Sequence, residues 1–141
     1  MQPDADAFLG RWHRIVAERD LDALRDILAD GVAIGAPPYW APLAGKLLVH
    51  HLLGIIVTTI EGFTYHREWT RGRELALEFR GRVGEHELQG IDLITLDDAG
   101  RVAHLDVLIR PMNALEALRE IVAPKMMAFL AGAKAGGERE E

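Results

Sequence analysis

HELQGIDLITLDDAGRVAHLDVLIR, residues 86–110, is the stretch on which the fold turns. One parity of 86–96 carries Leu88, Gly90, Asp92, Ile94 and Leu96, and the other carries Ile91, Leu93 and Thr95. Alternation of period two is the mark of a strand. Asp97-Asp98-Ala99-Gly100 is built of turn formers. Residues 102–110 then resume the alternation, with Leu105, Val107 and Ile109 on one side and Asp106 and Arg110 on the other. Two long antiparallel strands across a tight turn are therefore expected. Both faces of 86–96 are rather apolar, and a strand buried on both sides needs two covers. Helices can supply one, and a second copy of the chain the other, which predicts a homodimer through the outer sheet face.

Working upstream, residues 74–83 and 63–69 also read as strands, parted by Arg71-Gly72, with a break at Gly84 before the stretch above. Before them the period changes to that of helices. Phe8, Trp12, Ile15 and Val16 share one face of a first helix, which Asp4 or Asp6 can cap. Asp20 stands at the N-cap of a second helix, with Leu21, Leu24, Ile27 and Leu28 inward and Asp30-Gly31 as its stop. A short strand at 32–35 runs into APPYWAP, residues 36–42, too proline-rich for regular structure. A third helix follows Gly45, with Val49, Leu52, Leu53 and Ile56 inward.

Downstream, Asn113 with Glu116 three residues on opens a last helix, which Pro124 is expected to kink or divide. Its Leu115, Leu118, Val122, Met126, Phe129 and Leu130 are apolar enough to pack on something. Three helices, a run of antiparallel strands and a terminal helix predict an α+β fold with the helices packed on one face of the sheet. One domain over 1–132 and a disordered tail over 133–141 complete the expectation.

Composition narrows the functions. With 49% hydrophobic and 27% charged residues, the 141-residue chain can bury a core. It has no cysteine, which excludes thiol catalysis, disulfides and zinc-thiolate sites and fits a cytoplasmic setting. A formal net charge of -6 argues against nucleic acid as partner. The longest uncharged run, 47–60, is too short to span a bilayer, so no membrane role is expected. The six histidines form no metal-ligand spacing, and His50 and His51 point about 100° apart on a helix. No phosphate loop or dinucleotide fingerprint is present. No metal and no cofactor are expected.

The order of elements, together with DDAGRVAHLDVLIRP at 97–111, resembles the nuclear transport factor 2-like superfamily, which includes ketosteroid isomerase and the SnoaL-like polyketide cyclases. RWHRIVAERDLDALRDILADGVAIGAPPYWAPLAG and GIDLITLDDAGRVAHLDVLI both lie on the isomerase pattern without a gap. That resemblance implies a cone-shaped fold, a curved mixed or antiparallel β-sheet wrapped by N-terminal helices with an extra C-terminal helix, and an oxyanion site. The protonated acid falls on Asp92, the tyrosine on Trp12, which keeps one N–H donor, and the base on Ala36, which can do no proton chemistry. A standard ketosteroid isomerase is therefore not implied.

Asp92 reads similarly on its own terms: an acid among Leu88, Ile94 and Leu96 loses hydration, which favours its neutral form. Strand parity and the resemblance together suggest a pocket walled by Leu75, Leu77 and Phe79 on one strand and by Ile94, Leu105, Val107 and Ile109 on others. Leu53, Ile56 and Phe8 would come from helices, with Tyr39 and Trp40 over the mouth. Such a wall suits a small apolar or polycyclic ligand held by one or two hydrogen bonds. A reaction would need a proton acceptor, for which His50 is the candidate by location, with His86 behind it. Two readings follow. The chain is a cofactor-free isomerase-, cyclase- or hydrolase-like enzyme that polarises a carbonyl or epoxide oxygen with Asp92 and Trp12. Alternatively, it is a non-catalytic ligand-binding module or dimeric scaffold of the same fold.

Overall fold

The computed structural model of the chain describes residues 5–37 and 39–140, with side chains described through residue 132. Four helices and six strands follow in the order α1 (Ala5–Glu18), α2 (Leu21–Asp26), β1 (Leu28–Gly35), β2 (Leu43–Ala44), α3 (Lys46–Thr59), β3 (Glu61–Arg71), β4 (Glu74–Val83), β5 (His86–Leu96), β6 (Val102–Arg110) and α4 (Met112–Glu140). The strands form one sheet in the order β2-β1-β6-β5-β4-β3. Among the described residues only the β1–β6 pair is parallel, so the sheet is mixed.

The hairpins follow from their turns. Gly72 and Gly84 open the two-residue loops β3–β4 and β4–β5 at φ +59° and +60°, where a side chain would be strained. A positive φ at the first loop residue alone is the type II′ pattern, whose twist matches that of the strands it joins. The β5–β6 turn is held by Asp97, whose carboxylate accepts from the N–H groups of Ala99 and Arg101, both at 2.9 Å.

Register shifts in β3, between β1 and β6, and between β5 and β6 bend the sheet into its cone. The concave side carries Leu75, Leu77 and Phe79 from β4, Leu88, Ile94 and Leu96 from β5, and Leu105 and Val107 from β6, all buried. Phe8, Trp12, Ile15 and Val16 of α1 close one part of it, and Val49, Leu52, Leu53 and Ile56 of α3 another.

Several expectations change. The second helix stops at Asp26, and Asp30-Gly31 lies inside β1. The backbone explains this: Val102 N–H donates to the Ile27 carbonyl at 2.8 Å and Leu28 pairs with Val102, so β6 takes the groups that another helical turn would use. Pro124 does not divide the last helix, which runs as one element from Met112. The capping residue Asp4 lies outside the described residues, and the tail expected to be disordered falls where side chains are not described. Asp106 and Arg110 sit on the outer sheet face, as their parity predicts. His104 Nε2 meets Asp106 at 3.1 Å, and Arg110 donates to Gln89 at 3.2 Å.

Candidate functional site

Two features bear on function: a buried acid on the concave side of the sheet, and an apolar cleft between α3 and α4. Asp92 is 6% exposed at the middle of β5, between Leu77 of β4 and Val107 of β6. Its neighbours are hydrocarbon, so burial pushes its carboxyl up from the ordinary aspartate value to about 7, against a smaller lowering by the hydrogen bond it accepts. That bond comes from Tyr65, whose hydroxyl donates to Asp92 Oδ2 at 3.0 Å. Trp12 Nε1–H donates in turn to the Tyr65 oxygen at 2.7 Å. Trp12 and Asp92 are thus brought together, but through a tyrosine that stands between them.

Tyr65 reaches this position through a strand irregularity. It pairs with Phe79, and Glu68 pairs with Leu77, so two β3 residues three apart match two β4 residues two apart. The extra residue turns both Tyr65 and Glu68 to the concave side. There they dock α1, since His13 pairs with Glu68 and lies edge-on to the Tyr65 ring, centroids 4.8 Å apart. Burial raises the Tyr65 phenol well above its ordinary value, and the Asp92 charge raises it further.

A second buried carboxylate shows the opposite environment. Glu78, 1% exposed on the outer face, accepts from Arg67 Nε at 2.5 Å, and that hydrogen bond holds it below its ordinary value. Asp92 has no cation among its described partners, and its acidity moves the other way.

The cavity expected around Asp92 is instead occupied by side chains. Phe79 lies over Gly90 so closely that a Cβ there would overlap its ring. It stacks on Phe63, centroids 4.7 Å apart, and meets the Tyr65 ring edge-on. Phe8 stacks on Trp12 at 5.8 Å. Leu53, Leu75, Leu77, Ile94, Leu105 and Val107 belong to the same packed core. Among the side chains assigned to a pocket wall, Ile56, Ile109 and Tyr39 do line a cleft, but a different one.

That cleft, of about 270 Å³, lies between α3, α4 and the β1–β2 loop. α4 packs on α3 and across the ends of β4, β5 and β6 of its own chain, with His51 stacked on Phe129 at 3.9 Å. Leu118 and Met126 form its roof, Leu52 and Ile56 its floor, and Ala36 one wall. Trp40 is fully exposed and outside it. The turn in which Tyr39 N–H bonds the Ala36 carbonyl at 2.9 Å brings Tyr39 back to the rim. His50 points elsewhere: its Nε2 lies 2.6 Å from the Leu21 carbonyl, to which it donates, tying α3 to α2. His86 is exposed at the start of β5.

Sequence reasoning missed Tyr65. The signal was present, since Phe63 and Tyr65 share one parity in a strand whose other residues are mostly polar. It was obscured because the bulge after Tyr65 breaks the alternation.

Comparison with solved structures identifies the fold. A steroid delta-isomerase from Pseudomonas aeruginosa superposes with a TM-score of 0.84 at 39% identity, covering 92% of this chain and 97% of that one. The chain belongs to the nuclear transport factor 2-like superfamily. A cystatin-like-fold protein from Silicibacter pomeroyi DSS-3 is similar at 31% identity and TM-score 0.83, covering 89% of each chain. An NTF2-like protein of unknown function from Mesorhizobium loti, at 18% identity and TM-score 0.66 over 75% of this chain and 90% of that one, shares the superfamily fold. No protein-family model matches the chain, and no curated protein does. Among the described residues, no helix is long and apolar enough to cross a membrane, and no cluster of three metal-ligating side chains occurs.

Proposed function

We propose that this member of the superfamily is a binding protein for a compact apolar molecule, held in the cleft between α3 and α4 without proton chemistry. One observation carries the reading: the donors of the acid site are already used inside the fold. Trp12 gives its one N–H to Tyr65 and Tyr65 gives its hydroxyl to Asp92, so neither is aimed at a ligand. The cleft has a wall of mainly hydrocarbon, and the position where the isomerase pattern carries its base is Ala36, 4% exposed at its edge. A cytoplasmic setting and a dimer through the outer face of the sheet belong to the same proposal. Trp69, Leu93 and Leu108, half-exposed on that outer face, support the dimer.

A second reading is favoured by Asp92 itself. An acid whose carboxyl burial pushes up to about 7, in a chain 39% identical to a steroid delta-isomerase, can donate in its neutral form to a carbonyl or enolate oxygen if the aromatic packing opens. On that reading the chain is a cofactor-free enzyme of the isomerase or cyclase kind.

Titration with 2-naphthol separates the two, because the neutral and ionised forms absorb differently. The binding reading expects neutral naphthol to be bound equally by wild type and Asp92→Asn, and to be lost when Ala123→Phe fills the cleft. Naphtholate bound by wild type and not by Asp92→Asn would replace that reading with the enzyme.

A further inference from the structure

The α3–α4 cleft is apolar on nearly every side, and Arg119 is the exception. It comes from the same face of α4 as Leu115, Leu118 and Val122, whose spacing of three and four residues places them in one stripe. Arg119 is exposed at the rim, and among the described residues it takes part in no ion pair or hydrogen bond. No carboxylate is among the described residues that line the cleft, although the chain carries 22 acidic against 16 basic residues. The other polar group on the rim is the Tyr39 hydroxyl, on a side chain 53% exposed.

We propose that the ligand of this cleft is a compact apolar carboxylate, its hydrocarbon part between α3 and α4 and its carboxylate on Arg119. This rests on the cleft being the binding site proposed above and adds the class of ligand. A planar guanidinium offers two parallel N–H donors to a carboxylate, a match that a hydroxyl or ester head cannot make. Its attraction is strengthened at the edge of an apolar wall, where water screens less. The volume, about 270 Å³, lies at the small end of ligand clefts and excludes a large fused-ring molecule lying wholly inside. A medium-chain or single-ring acid meets both demands.

Calorimetric titration of the full chain with octanoate and with 1-octanol tests this. Wild type, Arg119→Gln and two cleft-filling variants, Ala123→Phe and Met127→Trp, are compared, each with its folding checked by circular dichroism. Octanoate is expected to bind roughly tenfold to hundredfold tighter than octanol in wild type, the worth of one charge-assisted contact. Arg119→Gln is expected to remove that preference while leaving octanol binding as it was, and a folded filling variant to abolish both. Equal binding of the two ligands, blocked by filling, would overturn the carboxylate assignment and leave the apolar-cleft function standing. A preference for octanoate that survives Arg119→Gln would overturn the role of Arg119. If neither ligand binds wild type, or both bind the filled variants unchanged, the assignment and the cleft function fall together.

Discussion

At the scale of single residues, Asp92 links acidity to stability. Its folded carboxyl titrates near 7 and its unfolded one near 4, so between those values the folded state holds the extra proton. Stability is therefore fully present below about pH 4 and falls as pH rises through 7, by on the order of 4 kcal/mol at most. Asp92→Asn keeps the shape and the acceptor for Tyr65 but cannot ionise. Urea unfolding at steps from pH 5 to pH 8 should show wild type losing stability relative to this variant as pH rises. A constant difference would mean that Asp92 is ionised throughout. Tyr65→Phe acts on the same chain of bonds by stranding the Trp12 N–H, and should cost about 1–3 kcal/mol in urea unfolding. It also removes the hydrogen bond that lowers the Asp92 carboxyl, so the pH dependence should shift to higher pH.

At the scale of elements, the contact of β4 with β5 is set by one glycine. The Cβ of alanine at Gly90 would meet the Phe79 ring and the Leu108 carbonyl oxygen at 2.6 Å, neither of which yields easily, since Phe79 is stacked on Phe63. Gly90→Ala should lower stability by about 1–3 kcal/mol, the range for overpacking, as a fall in the urea midpoint. No change in midpoint would mean that the aromatic stack is loose enough to open for a ligand. The sequence marked Gly90 only as the small member of an inward parity, and its purpose becomes visible once Phe79 is seen above it. The helices were legible for the opposite reason. The inward faces of α1 and α3 follow from spacing within a single segment, and every residue assigned to them is buried. Where α2 gave way to β1, the deciding bond came from β6, some 75 residues on, which no local pattern contains.

At the scale of the whole molecule, the outer face of the sheet is the surface that one chain leaves uncovered. Trp69, Leu93 and Leu108 lie there at 51%, 42% and 54% exposure, ringed by Arg67, Arg80, His104 and Asp106. If two copies meet on this face, sedimentation should give a dimer at micromolar concentration, and Leu93→Arg should give a folded monomer, since burying an unpaired charge at a centre of hydrocarbon is costly. A wild-type chain that sediments as a monomer at every concentration would defeat the dimer.

The sequence by itself determined the class of fold, the limits of strands β4, β5 and β6, the inward faces of α1 and α3, and the buried place of Asp92. Each of these rests on short-range periodicity or on the apolar company of one residue along its own strand. Tertiary structure alone decided what fills the cone. Whether Phe79, Phe63, Tyr65 and Trp12 line a cavity or close it depends on ring stacking between elements far apart in the chain. The same holds for α4. Its apolar stripe was plain in the sequence, but the cleft it roofs is formed together with α3 and the β1–β2 loop, elements far from it in the chain.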